Sequence, residues 1–376
     1  MADVKNLIAE LEQVALEPRA SVAKLKADTG KKLIGMFPLY LPEEIVYAHG
    51  MLPVGMWGGQ TEIRLADKYL QSFCCSVIRA NLEFGMNGTY DILDGIVMAT
   101  YCDTLKCVCE DWKYAVPQIP FIPMVYPQNR NIQAGIDYME DEFARVEKEL
   151  SKISGKSITE ADLEAAWEVY ENYRAACRRF VKVVERAPKT LNAKTRHLIL
   201  KAAWFMDKKQ YTNKLNEIVD AFEAAPAEEF NGKKVVVEGI LVEPLALLDA
   251  FVENDILIVA DDLAHQSRQF RTPGRAAGSV YEKMAHRIAD TRGCALLYEE
   301  RKTKGDFLID LVKANKADGL VVCMMKFCDP EEYDYPIFKV ELEKANIPML
   351  YMEIEQKMET VEPLRTRIQS FAEMLS

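Results

Sequence analysis

Short apolar runs alternate with longer amphipathic segments in the first third of the chain and again in the last third, and this alternation constrains the fold more than any other feature. The runs of the first third, bounded by Gly, Pro or Asn, are Lys32–Phe37, Gly95–Thr100 and Phe121–Tyr126. Runs of this length, separated by helical periodicity, are typical of strand–helix–strand units. They predict a parallel sheet covered by helices.

The rest of the chain divides into a helical stretch and a second alternating stretch. From about residue 132 to residue 225, apolar residues recur at the three- and four-residue steps of helices. The segment Ala225–Lys234 then breaks the pattern with Pro, Gly, Asn and charged residues. The strands predicted after it are Val235–Leu241, Ile256–Ala260, Cys294–Tyr298, Leu320–Met325 and Met349–Ile354.

These patterns predict an α/β protein with two doubly wound, Rossmann-like or flavodoxin-like parallel-sheet domains. The first domain would span residues 1–230 and include the inserted helical block at about 132–225, and the second would span residues 231–376. A chain of 376 residues is long enough for each domain to bury its own core. Two such domains leave a cleft between them.

The composition excludes several classes of function. Hydrophobic residues make up 49% of the chain and charged residues 28%, as in soluble globular proteins. A net charge of -11, without a dense run of Lys or Arg, argues against a nucleic-acid partner. The segment Met1–Ala20 lacks the features of a signal peptide, and no apolar stretch is long enough to span a membrane. We therefore expect a cytoplasmic protein with no membrane partner.

The cysteines are the candidate ligands for a metal centre. Disulfides are rare in the cytosol, and no two of the four histidines stand at the i, i+4 spacing of a helical metal site. If a metal is present, thiolates would hold it. The nine cysteines are Cys74, Cys75, Cys102, Cys107, Cys109, Cys177, Cys294, Cys323 and Cys328.

Three of these cysteines lie where open α/β sheets bind ligands, beyond the carboxyl ends of strands. Cys102 and Cys328 each follow a predicted strand and precede a helix. The pair Cys74 and Cys75 begins another helix, and only one of two adjacent side chains is expected to face a shared site. A helix amino terminus stabilises a thiolate, and three converging thiolates match iron–sulfur ligation with one open position. For any single cysteine, burial as a small apolar residue is the more common explanation.

The other cysteines are weaker candidates. Cys107 and Cys109, in the helix after Cys102, are second choices as ligands. Packing in the core is the favoured explanation for Cys177, Cys294 and Cys323.

Motifs for nucleotide chemistry are missing from the sequence. No phosphate-binding loop, dinucleotide-binding glycine motif or nucleophile elbow is present, so direct use of ATP or NAD is unsupported. Asp261 and Asp262 are interpreted as loop carboxylates or a helix cap near the cleft. Arg268 and Arg271 could contact an acidic partner or a phosphate, and a solvated basic face is an equally open interpretation.

Several sequence runs resemble the β subunit of 2-hydroxyacyl-CoA dehydratases, a family related to benzoyl-CoA reductase. The resemblance extends in order over essentially the whole chain. The runs that carry it are Phe73–Ser76, Cys102–Lys106, Ala260–Ala264 and Met324–Tyr333, with Pro42–Glu44 and Gly50–Gly55 in support.

The resemblance implies a heterodimer with a larger homologous α subunit, in which each subunit holds a [4Fe–4S] cluster on three cysteines. Here these ligands would be Cys75, Cys102 and Cys328, in the interdomain cleft. An ATP-hydrolysing iron–sulfur activator protein would bind transiently and inject one electron. Through a ketyl radical, (R)-2-hydroxyacyl-CoA, bound mainly by the partner, would then lose water to give 2-enoyl-CoA.

One departure from the substrate-binding partner type favours an electron-relay role. That type carries a serine in the loop after its first strand, whereas the corresponding loop here, Met36–Tyr40, has no serine or other hydroxyl directly after the strand. Two alternatives stay open: a subunit of a benzoyl-CoA-reductase-type enzyme, and a scaffold subunit without a cluster.

Overall fold

The computed structural model, which describes residues 2–57 and 59–375, contains two four-stranded parallel sheets. In the first sheet the order is β2-β1-β3-β4, and in the second it is β6-β5-β7-β8. The strands are β1 (Leu33–Phe37), β2 (Leu52–Gly55), β3 (Gly95–Ala99), β4 (Phe121–Met124), β5 (Lys233–Gly239), β6 (Ile256–Leu263), β7 (Gly319–Met325) and β8 (Met349–Ile354). Both sheets follow the flavodoxin-like order, which confirms the predicted α/β class with two doubly wound sheets.

Fifteen α-helices surround and connect the sheets in the described residues. Helices α6 to α9 lie between the two sheets in the sequence, and the expected division after residue 230 falls between α9 and β5. The helices are α1 (Ala2–Leu16), α2 (Pro18–Thr29), α3 (Glu43–Ala48), α4 (Ser76–Met86), α5 (Asp103–Ala115), α6 (Gln133–Ser154), α7 (Glu160–Val183), α8 (Ala193–Ala202), α9 (Lys208–Ala224), α10 (Leu245–Glu253), α11 (Ser267–Phe270), α12 (Val280–Ala289), α13 (Lys304–Ala314), α14 (Asp329–Lys344) and α15 (Glu362–Met374).

The strands form the centre of the core because helices cover both faces of each sheet. Every residue of β1, β3 and β7 is buried, as expected for parallel strands that are apolar on both sides. The helical block packs closely on the first sheet at Gly55, where an added Cβ atom would lie 2.5 Å from Cε3 of Trp204. Glycine is required there by this close approach.

Contacts between the two halves involve the segment that connects β6 and α13. Helix α12 packs on α6, although α12 follows the second sheet's first strands in the sequence. The buried Arg130 guanidinium donates hydrogen bonds to the backbone carbonyls of Ile288 (3.0 Å), Thr291 (2.6 Å) and Tyr298. These bonds join the loop after β4 to the second half of the chain.

Two strand predictions were wrong. The segment Cys294–Tyr298 forms turns rather than a strand, since Gly293 enters it with φ +68° and its carbonyl at Tyr298 bonds to Arg130 instead of a ladder. Strand β2, which is four residues long and contains Pro53, was missed in the sequence. An edge strand tolerates a proline, and β2 lies at the edge of its sheet.

Among the helices of the described residues, none combines the length and the apolar character needed to cross a membrane.

Candidate thiol site at the carboxyl ends of the sheets

Cys102 and Cys328 occupy equivalent places in the two sheets. Each sheet has a switch point, between β1 and β3 or between β5 and β7, where the order of strands reverses and a crevice opens. Cys102 follows β3 and is the N-cap residue of α5. Cys328 follows β7 and is the N-cap residue of α14. Both sulfurs therefore lie beyond the carboxyl end of a strand beside a switch point.

Cys75 has the same local position as these two cysteines. It is the N-cap residue of α4, the first α-helix after β2. Its extended backbone, with φ -59° and ψ 145°, turns into the helix at Ser76. All three predicted site cysteines thus begin helices, and all three helices follow strands.

Backbone N–H groups at these helix starts point toward the sulfurs. The Cys102 Sγ accepts a hydrogen bond from the Leu105 N–H at 3.4 Å. The N–H groups of Ile78 and Glu331, which have the same third position in their helices, approach the sulfurs of Cys75 and Cys328 and lower their pKa. Each sulfur therefore faces the positive end of a helix, which favours a thiolate or a sulfur bound to metal.

The three thiols lie close enough together to raise one another's pKa, and we treat them as one group. Burial raises the pKa of Cys75 to about 12, and the neighbouring Cys102 contributes to this rise. Burial raises the pKa of Cys102 to about 11, in the same direction as the nearby Asp329 carboxylate. The pKa of Cys328 lies well above the ordinary value because of burial, the Glu331 carboxylate and both other thiols. The thiols therefore hold their protons in the metal-free chain, and a metal that bound them would displace these protons.

The three thiols have the chemistry of iron–sulfur ligands. Within residues 2–57 and 59–375, no set of three or more His, Cys, Asp or Glu side chains is arranged to hold one metal ion. Iron–sulfur clusters are held by cysteine thiolates. The donor set, three thiols on helix amino termini, has the soft character that such clusters select. The residues present therefore fit an iron–sulfur group.

Two of the remaining cysteines lie beside this group, since Cys74 raises the pKa of Cys75 and Cys102 raises the pKa of Cys109. Cys74 interacts with Thr104 and Cys107 on α5, so the adjacent pair of cysteines divides between two environments. Cys107 is exposed. The cysteines that are buried in the packed interior are Cys109, Cys177, Cys294 and Cys323.

The predicted loop carboxylates Asp261 and Asp262 belong instead to β6, and both are buried. Asp261 pairs with Arg196 and accepts the Ser267 N–H at 3.0 Å. Asp262 accepts two hydrogen bonds from Arg268, at 2.9 and 3.0 Å. The interpretation as loop or cap residues was wrong because β6 extends three residues further than its apolar run.

The predicted basic face at Arg268 and Arg271 is also wrong. Arg268 is fully buried and Arg271 is 15% exposed, and both pair with Asp262. Burial alone would raise the pKa of Asp262, but Arg268, Arg271 and Lys304 hold it at about 2. Neither arginine is available as a solvated surface for a phosphate.

Asp262, Arg268 and Arg271 belong to a larger network of buried ion pairs, and three further members of it were missed in the sequence. They are Glu238, Lys304 and Glu331, all buried. The available signal was Glu238, a charged residue inside the apolar run of Val235–Leu241, because a buried charge requires a partner. Its partners come from distant positions in the chain, which the sequence does not pair.

The loop after β1 ends in an unusual backbone conformation. Tyr40 has φ +57° and is buried, and its hydroxyl lies near the Cys294 thiol. Burial raises the pKa of this phenol well above its ordinary value, with Cys294 acting in the same direction. Within this loop, the hydroxyl after the strand is therefore a neutral phenol rather than a serine.

A cavity opens beside the first turn of α4. Its volume is about 690 Å³, and its lining includes Ser76, Arg79, Gln356 and Lys357. Ser76 links the two halves here, since its Oγ accepts the Gln356 N–H at 2.9 Å. The cavity thus lies between residues of the two halves, beside the residue that follows Cys75.

Fold and site together define a two-sheet α/β protein with a shared thiol site where the carboxyl ends of its sheets meet. A family model described as "2-hydroxyglutaryl-CoA dehydratase, D-component" matches residues 38–375, and the chain belongs to this family.

Individual relatives agree with this membership over their full lengths. The chain is 39% identical to the (R)-phenyllactyl-CoA dehydratase beta subunit of Clostridium sporogenes, covering 100% of both chains. It is 40% identical to the lactoyl-CoA dehydratase subunit beta of Anaerotignum propionicum, again covering 100% of both chains. One of the subunits of benzoyl-CoA reductase from Thauera aromatica is more distant, at 25% identity over 93% of this chain and 92% of the relative.

Proposed function

We propose that this chain is the β, electron-relaying subunit of a 2-hydroxyacyl-CoA dehydratase, a hydro-lyase that removes water from an (R)-2-hydroxyacyl-CoA. Membership of the dehydratase family and full-length identity to two relatives named as β subunits support a dehydratase subunit. The relay role is carried by one observation, the group of three thiols on the amino termini of α4, α5 and α14.

Cys75, Cys102 and Cys328 would hold a [4Fe–4S] cluster. When bound, such a cluster supplies one-electron transfer. The protein contributes the environment: Cys328 is buried, Cys75 and Cys102 are half-buried, and the N–H groups of Leu105 and its counterparts face the sulfurs. Hydrogen bonds to the sulfurs and low solvent access both tune a cluster's potential. Each thiol releases a proton when it becomes a ligand.

A larger homologous α subunit is the proposed stable partner, and relatives named as β subunits support its existence. An exposed apolar stripe on α14, the helix that Cys328 begins, suits contact with another protein chain. In this stripe Tyr333 is 77% exposed, Ile337 40% and Val340 46%. An ATP-hydrolysing iron–sulfur activator is the proposed electron donor, since the chain has no nucleotide motif of its own.

The acyl-CoA substrate is proposed to bind mainly to the α subunit. The loop after β1 supports this division, since its Tyr40 hydroxyl is buried against Cys294 and carries a raised pKa. A phenol that is buried against another side chain is a poor group for contacting a thioester. The β subunit would then deliver electrons without touching the reacting carbonyl.

The test uses the α–β complex, purified anaerobically, with single cysteine substitutions in this chain. Cys75→Ala, Cys102→Ala and Cys328→Ala should each lose most of the iron and acid-labile sulfide bound by this subunit. Cys177→Ala and Cys323→Ala are matched controls, because both residues are fully buried and lie outside the thiol group. Full retention of iron in Cys328→Ala would reject the ligand assignment, and a wild-type complex without sulfide would favour a cluster-free scaffold.

Substrate binding separates relay from catalysis. In the Cys102→Ala complex, (R)-phenyllactyl-CoA or lactoyl-CoA should bind with nearly unchanged affinity, while turnover with activator and ATP is lost. Loss of binding in step with loss of turnover would assign the acyl site to this subunit.

A further inference from the structure

A buried network of charged side chains lies directly behind Cys328. Arg268 and Lys304 face three carboxylates, from Glu238 on β5, Asp262 on β6 and Glu331 on α14. The side chains of Arg268 and all three carboxylates are 0% exposed, and that of Lys304 is 4% exposed. Ion pairs this deep cost desolvation, and apolar side chains would often be as stable. Because burying this network costs desolvation free energy, and because the network lies next to Cys328, we looked for a role other than stability.

Glu331 connects this network to the thiol site. Its Oε1 accepts a hydrogen bond from Arg268 Nη1 at 2.8 Å, and its Oε2 accepts one from Lys304 Nζ at 2.8 Å. Its backbone N–H, in the first turn of α14, approaches the Cys328 sulfur. One residue is therefore anchored by its side chain and contacts the thiol through its main chain.

The loop that carries Cys328 depends on this anchor. The preceding residue, Phe327, has φ +64° and is 36% exposed, so it gives the loop little packing. The Cys328 N–H donates to the Met325 carbonyl at 2.9 Å, and the Cys328 carbonyl accepts the Glu332 N–H at 3.0 Å. These bonds are local. The Glu331 side chain, in contrast, ties this helix start through buried ion pairs to Arg268 on α11 and to Lys304 on α13.

The Glu331 carboxylate also acts on Cys328 through its charge. It raises the pKa of the Cys328 thiol in the same direction as burial does. Its ion pairs with Arg268 and Lys304 hold this negative charge in place. Cluster potentials respond to nearby charge, so a change at Glu331 should be measurable at the cluster.

We infer that Glu331 is a positioning residue: Arg268 and Lys304 fix its side chain and thereby hold the first turn of α14, so that Cys328 and the Glu331 N–H face the bound cluster. This inference rests on the proposed function, because it needs Cys328 to be a cluster ligand.

The first test variant is Glu331→Gln, which keeps the shape of the side chain and removes its charge. In the anaerobic α–β complex, iron loss to a chelator should become at least tenfold faster than in the wild type. In a redox titration monitored by electron paramagnetic resonance, the potential of this subunit's cluster should shift upward, because a negative charge near it is lost. The matched control is Glu343→Gln on the exposed side of the same helix, which should change neither value.

A second variant, Arg268→Lys, keeps the charge but cannot bind Asp262 with two bonds and also reach Glu331. Arg268→Lys should accelerate iron loss without the upward shift of the potential. It replaces Glu331→Gln as the test variant if Glu331→Gln folds poorly. Wild-type iron loss and potential in a folded Glu331→Gln complex would overturn the inference. If Cys328→Ala retains its iron, the proposed function itself has failed, so the two failures are distinguishable.

Discussion

Replacing Arg130 with methionine should weaken the connection between the two halves of the chain and, with it, the thiol site. Arg130 is 3% exposed and donates to the carbonyls of Ile288, Thr291 and Tyr298. Methionine keeps the volume of the side chain and removes all of these donors. A buried acceptor left without a donor costs about 1–3 kcal/mol, so the three carbonyls together should cost about 3 kcal/mol or more.

Arg186 provides a matched control, because it also donates to three carbonyls, those of Phe222, Glu223 and Ala225, but on an exposed surface. Water replaces its donors, and Arg186→Met should therefore cost less than about 1 kcal/mol. In a chain of this size, each kcal/mol corresponds to a shift of the melting midpoint of roughly 2 °C. We expect Arg130→Met to melt about 6 °C lower than the wild type and Arg186→Met to melt within about 2 °C of it.

The assay is thermal unfolding followed by circular dichroism under anaerobic conditions, together with iron content after purification. Cys75 and Cys102 come from the first half and Cys328 from the second, so a looser connection should also lower the retained iron. Equal melting temperatures and equal iron in the two arginine variants would refute this reasoning.

Two further predictions concern assembly and thiol chemistry. Ile337→Asp on the exposed stripe of α14 should weaken the α–β complex at least tenfold in analytical ultracentrifugation, whereas Met374→Asp, at a residue that is 61% exposed, should not; equal effects would remove this stripe from the interface. In the iron-free chain, alkylation of Cys75 and Cys102 should rise about tenfold per pH unit from pH 7 to about 10, because their pKa values of about 12 and 11 leave them protonated. An iodoacetamide rate, measured by mass spectrometry, that levels off near pH 9 would contradict these values.

The elements that carry the cysteines could be predicted because their signals are local. An apolar run ending before Cys102 or Cys328, followed by a helical pattern, defines both a strand end and an N-cap within a few residues. The same local signals left Cys74 and Cys75 both open, and the family resemblance favoured Cys75. The proximity of Cys75 to Cys102 and Cys328 is a property of tertiary structure.

The ion-pair network could not be predicted because its members are far apart in the chain. Asp262 and Arg268 are close in sequence, yet a charged pair between a strand and the next helix usually lies in solvent. Asp262 and Arg268 are buried because Lys304 on α13 and Glu331 on α14 pack against them. The strand wrongly predicted at Cys294–Tyr298 also reflects tertiary structure, since Cys294 and Leu297 are buried although the segment forms turns.

The two sheets have the same strand order, so each position in one half has a counterpart in the other. Cys102 and Cys328 then correspond to each other, each following the third strand of its sheet. Cys75 lies on the first α-helix after the second strand, and the matching helix of the other half, α11, carries Arg268. Of these four helix starts, three carry a cysteine and the fourth carries the buried Arg268. At that fourth position the guanidinium of Arg268 pairs with Glu331 and so binds the start of the helix that follows Cys328.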